Sequence, residues 1–64
     1  MESEHIRLDQ FLKLVGVVNS GGEAKHLIQN GEVQVNGEVE MRRGRKLISG
    51  DIVKFRQQEF VVKL

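Results

Sequence analysis

Apolar positions along the chain follow two periods, first helical and then alternating. Leu8, Phe11, Leu12 and Val15 stand at i, i+3, i+4 and i+7, one face of a helix, with Gly16 as its stop and Ile6 opening the ordered part. Asp9 in the first turn and Lys13 in the second half have the order that the helix dipole favours, and Arg7 is left as a cation at the entrance. Val17-Val18-Asn19 is too short to be an element, so a second helix must pack directly against the first. Ser20 and Glu23 have the spacing of a capping box, Ala24, Leu27 and Ile28 form an apolar stripe, and Gly31 stands where a left-handed residue ends a helix. Beyond Gly31 the period drops to two. Val33 and Val35 face one way and Glu32, Gln34 and Asn36 the other, until Asn36-Gly37 turns a hairpin onto Glu38 to Met41. Leu47-Ile48 returns to the core, and Ser49-Gly50-Asp51 reads as a turn. Ile52 to Phe55 reads as a strand, Arg56 to Glu59 as a further turn, and Phe60 to Leu64 as a closing strand. The pattern predicts an α+β domain over 6–64, a helix pair followed by about four strands in a small antiparallel sheet, after a flexible lead over 1–5.

Sixty-four residues make one domain. A chain of this size buries only about 60% of the surface that its unfolded form exposes, which leaves little room for an enclosed active site. Without cysteine there is no disulfide framework and no thiolate zinc site, which fits a reducing compartment. No apolar run approaches the roughly 20 residues that span a bilayer, and the first five residues lack the regions of a signal peptide, so the expectation is a cytoplasmic protein without a membrane partner.

The net charge of +1 conceals a polarised distribution. Residues 42–56 hold six cations against Asp51, net +5, while the rest of the chain holds four cations against eight anions, net −4. Arg42-Arg43-Gly44-Arg45-Lys46 concentrates four of the cations around a glycine expected to let the chain turn. Such a segment in a nearly neutral domain is a local footprint for a polyanion, since scattered charge would serve solubility better. Four phosphate contacts would give binding a salt slope of roughly −3.6, at about −0.9 per phosphate on B-form DNA.

Catalysis needs a nucleophile held by a base, paired carboxylates or a perturbed cluster in a pocket, and the chain offers only His5 in the lead and His26 on a helix face. No enzymatic activity, metal, cofactor or small-molecule substrate is expected. Single-strand platforms stack bases on exposed rings, but Tyr and Trp are absent and Phe11, Phe55 and Phe60 occupy positions that a small core requires. What remains is recognition of shape and backbone. The candidate contacts are Arg7, Ser20 and Gly21 at a helix N-terminus, Lys25, His26 and Gln29 along the helix face, and Arg42, Arg43, Arg45 and Lys46 in the loop. An adaptor whose basic loop meets an acidic protein, and a small binder of double-stranded DNA, are the alternatives.

Arg7-Leu8-Asp9, Ser20, Ala24, Leu27-Ile28, Gly31, Val33, Val35-Asn36-Gly37 and Gly50-Asp51, in this order and spacing, resemble the pattern of the S4-like RNA-binding domain. The Ser-Gly-Gly-Glu-Ala-Lys and Arg-Arg-Gly-Arg-Lys stretches resemble the small stand-alone bacterial members of the YaaA/YbcJ type. The resemblance implies an alpha-L motif, a helix pair on a small curved sheet. It implies no catalysis, and structured RNA bound along the second helix and adjoining loops, ribosomal or transfer RNA, with a ribosome or its precursor as partner. Many members carry arginine directly after the serine matching Ser20, where this chain has Gly21, so a side-chain contact is lost there.

Overall fold

The computed structural model describes residues 4–64. The expected flexible lead falls for residues 1–3 outside the described residues, and Glu4 and His5 are exposed and belong to no element. The elements run β1 (Ile6–Arg7), α1 (Leu8–Leu14), α2 (Gly21–Gln29), β2 (Val33–Val35), β3 (Glu38–Val39), β4 (Lys46–Leu47), β5 (Ile52–Phe55) and β6 (Gln58–Val61). Four strands form an antiparallel sheet in the order β3-β2-β5-β6, and β1 pairs with β4 in a separate two-stranded ribbon. The α+β class, the helix pair and the four-stranded sheet agree with the sequence pattern. The ribbon was not foreseen.

Both helices end in the same way. In α1 the amide of Gly16 donates to Lys13 and that of Val17 to Leu12; in α2 the amide of Gly31 donates to Ile28 and that of Glu32 to Leu27. These are the paired bonds of the Schellman motif, with Gly16 at φ 83° and Gly31 at φ 76° supplying the left-handed residue that each requires. The start of α2 is as expected at Ser20, whose Oγ accepts the Glu23 amide at 3.2 Å. The Glu23 carboxylate reaches back to the amide of Asn19 at 3.3 Å, one residue before the cap.

The core joins the helices to both sheets: Leu8, Phe11, Leu12, Ala24 and Ile28 meet Val33, Val35, Leu47, Val53 and Val62 in one buried cluster. Phe11 sets its ring edge-on to Phe60, with centroids 6.4 Å apart. That contact ties α1 to β6 and keeps both rings in the packing rather than available for bases.

The strand boundaries differ from the sequence reading at the end of β3 and at both ends of β6, which stops at Val61 rather than Leu64. Regular pairing in β3 stops at Val39 rather than Met41; the buried Glu40 adds one last bond, its amide donating to Val33 at 3.0 Å. The last strand begins at Gln58 rather than Phe60, since Phe55 pairs with Gln58 and the turn has only two residues, Arg56-Gln57. Arg56 takes the left-handed conformation at φ 58° without being Gly or Asn. Its guanidinium lies 4.8 Å from the Phe55 ring centroid and 3.5 Å from Glu32, contacts that offset the strain.

Asn36 and Asp51, fifteen residues apart, form one lock. Asn36, left-handed at φ 53° in the hairpin turn, donates its side-chain amide to Asp51 at 3.1 Å and accepts the Ile52 amide at 2.9 Å. Asp51 in turn accepts the Ile48 amide at 3.0 Å. These bonds hold its carboxyl below the ordinary range, the Ile48 amide contributing most. Val35-Asn36-Gly37 and Gly50-Asp51, two separate pieces of the sequence pattern, are thus opposite sides of one contact.

Candidate nucleic-acid interface

The basic loop is built onto the start of α1. No Ser, Thr, Asp or Asn precedes Leu8 to cap this helix; the residue there is Arg7. The missing acceptors come from elsewhere. Arg45 carbonyl accepts the Leu8 amide at 2.8 Å and Arg43 carbonyl accepts the Asp9 amide at 3.1 Å. Gln10 Oε1 accepts the Arg7 amide at 3.4 Å, and Asp9 Oδ1 accepts the Gln10 amide at 2.9 Å. The amides that open the helix are therefore satisfied, and the loop that satisfies two of them is held in place.

Pairing of β1 with β4 sets Arg7 directly across from Lys46 and Ile6 across from Leu47. Leu47 is fully buried and Ile6 packs against the core, so Arg7 and Lys46 share the outward side. Like charges facing one another across a strand pair are unfavourable. Asp9 relieves Arg7 in part at 3.4 Å.

Within the loop the four cations are unequal. Glu40 binds two of them: Arg42 through Nε at 3.2 Å, Nη2 at 3.4 Å and its backbone amide at 3.0 Å, and Arg45 through Nη1 at 2.9 Å. Hydrogen bonds from Arg42, then Arg45, hold the Glu40 carboxyl down to about 2, against a smaller opposing effect of burial. Arg43 and Lys46 are exposed and make no ion pair among the described residues. The four cations named from the sequence are thus of two kinds, two clamped by Glu40 and two without an ion pair among the described residues. One carboxylate cancels one charge, and three net charges correspond to a salt slope of roughly −2.7. The chain turns at Arg43-Gly44 as expected, with the Arg45 amide donating to the Arg42 carbonyl at 3.3 Å, although Gly44 is not left-handed and a side chain there would meet open space. Its bareness instead leaves open a shallow depression of about 470 Å³ lined by Arg42, Gly44, Arg45 and Lys46.

Glu40 makes the fold acid-sensitive. A carboxyl whose value falls on folding stabilises above its unfolded value, near 4.5, and that contribution disappears as pH falls from about 4.5 toward 2. It is on the order of 2 kcal/mol, after allowing for the solvent that reaches Arg42, whose side chain is 78% exposed. Melting curves should show wild type above Glu40→Gln at pH 6 and the two converging near pH 2; a constant gap would contradict this origin.

Ser20, Gly21, Lys25, His26 and Gln29 are exposed on α2, with Ala24 and Ile28 buried and Leu27 half-buried on the opposite side. Ser20 Oγ is occupied as the cap, and Glu23 places a carboxylate at that end. No hydrogen bond or ion pair among the described residues links α2 to the loop. Arg7 is thus brought together with Arg42 to Lys46, while the α2 residues form a second exposed group. Sequence reasoning missed Glu40, whose signal is an acid two residues before a basic run. Among the described residues no three His, Cys, Asp or Glu side chains gather as a metal site, and no helix is long and apolar enough to cross a membrane.

A family model described as the S4 domain matches residues 1–63. The chain belongs to the S4-domain family. Among relatives of this S4 domain, the Bacillus subtilis protein named "Probable ribosome maturation protein RlbA" is 52% identical over 54 residues, covering 84% of this chain and 76% of that protein. The Escherichia coli protein named "Putative RNA-binding protein YbcJ" is 43% identical over 51 residues, covering 80% and 73%. Solved structures share the fold at low identity. Trimeric Heat Shock Protein 15 of Vibrio cholerae superposes with a TM-score of 0.75 at 22% identity over 88% of this chain. The 30S ribosomal protein S4e of Thermoplasma acidophilum gives 0.70 at 18% over 95%. The S4 domain described here spans 58% and 32% of those two chains.

Proposed function

We propose that this S4 domain is a non-catalytic, cytoplasmic module that binds structured RNA, ribosomal or transfer RNA, by its phosphate backbone and shape. The observation that carries this is the outward pairing of Arg7 with Lys46 beside Arg43, on a loop whose backbone is held by α1. Such clustering of positive charge is unfavourable until an anion arrives, and a rigid one suits a ligand of fixed shape. The exposed face of Lys25, His26 and Gln29 extends the interface, and the names of the two bacterial relatives, one of ribosome maturation and one of RNA binding, agree with this reading.

The test is titration of a labelled RNA hairpin and a DNA hairpin of matching sequence, each over a range of salt. The RNA should bind at least about tenfold more tightly, with a slope between roughly −2 and −4. Equal binding of DNA, or the absence of salt dependence, would overturn the reading.

Gly21 offers a gain of function. A Cβ there meets nothing within 4 Å and the backbone is not left-handed, so Gly21→Arg fits without strain. It should tighten RNA binding several-fold and steepen the salt slope by about 0.9, one added phosphate contact. An unchanged slope would show that this end of α2 lies outside the interface.

A further inference from the structure

Arg42, used by Glu40 through Nε and Nη2, keeps Nη1 available, and Arg45, used through Nη1, keeps Nε and Nη2. Both arginines line the depression with Gly44 and Lys46. The loop backbone beneath them is fixed by the amides of Leu8 and Asp9. We propose that this depression is a pre-formed seat for one phosphodiester group of the RNA, and that Glu40 is the positioning residue that builds it by holding Arg42 and Arg45 in place. The seat presupposes the RNA-binding reading above and specifies how one part of that surface works.

Two opposing effects decide whether such a device helps. The Glu40 carboxylate repels a phosphate, but it is outweighed by the two arginines on it, and Lys46 adds a third cation. In its favour, two long side chains are already immobilised, so the rotamer freedom that free arginines would lose on binding is lost in folding instead. Planar guanidinium groups held in this way present their remaining N–H groups in fixed directions, which a mobile ammonium cannot do.

The sign of one mutational effect separates positioning from simple counter-charge. Glu40→Gln raises the net charge by one and, on electrostatics alone, should tighten RNA binding. As a positioning residue its loss should instead weaken binding of the labelled hairpin about tenfold at fixed salt. Arg45→Lys keeps the charge and should also weaken binding about tenfold. It decides the matter alone should Glu40→Gln not fold at the assay temperature. In the RNA-free protein, the Arg42 Nε–H resonance should be protected from exchange in wild type and lose that protection in Glu40→Gln. Tighter or equal binding by Glu40→Gln, or unchanged binding by Arg45→Lys, overturns the seat while leaving RNA binding intact. Failure of the wild type to bind the hairpin overturns the RNA-binding reading first, and the seat with it.

Discussion

Reversing the two unpaired loop charges, Arg43→Glu with Lys46→Glu, should weaken binding of an RNA hairpin about a hundredfold near physiological salt and flatten the salt slope by roughly 1.8. Both side chains are exposed and neither is in an ion pair among the described residues, so the unfolding midpoint should move by no more than a few degrees. The choice of pair matters. Reversal of Arg45 would set a second carboxylate against the buried Glu40, and a lost signal would then mix binding with unfolding. Fluorescence anisotropy beside circular dichroism on the same sample separates the two, and an affinity within threefold of wild type would remove the loop from the interface.

Leu47→Ala should cost about 2–4 kcal/mol. Leu47 is fully buried on β4, opposite Ile6, and it anchors the loop's C-terminal end to the core. Stability of roughly 0.05–0.15 kcal/mol per residue gives a chain of 64 residues about 3–10 kcal/mol in all, so the variant should lose a large share of it and unfold at a much lower urea concentration. Ile48→Ala, the adjacent exposed position, should shift stability by no more than about 0.5 kcal/mol. Urea denaturation of the pair checks both; similar midpoints would mean that β4 does not carry the core.

The ends of both helices, the start of α2 and the central hairpin were legible because each of these boundaries has a local chemical cause. Ser20 caps, Gly16 and Gly31 stop, and Asn36-Gly37 turns, each through its own backbone preferences. The missed features have causes that lie far apart in the chain. The β1–β4 ribbon is two residues long on each side, below the length at which alternation is detectable, and it joins Ile6–Arg7 to Lys46–Leu47 across most of the chain. The turn expected over Arg56 to Glu59 is present but two residues shorter, Arg56-Gln57, because it is held by Phe55 and Glu32 rather than by Gly or Asn, which would have marked its bounds. In the candidate site the basic run was plain from spacing, but its division into clamped and unclamped cations depends on the burial of Glu40, which only the fold creates.

The borrowed acceptors at the head of α1 bind two events into one. Arg43 and Arg45 present guanidinium groups to the surroundings while their carbonyls hold the protons of Leu8 and Asp9, so any lifting of the loop uncovers those two protons at the same moment. Deuterium uptake at Leu8 and Asp9 therefore serves as a built-in gauge of whether the arginine segment is seated or breathing, readable on unlabelled protein without any probe attached to the surface itself.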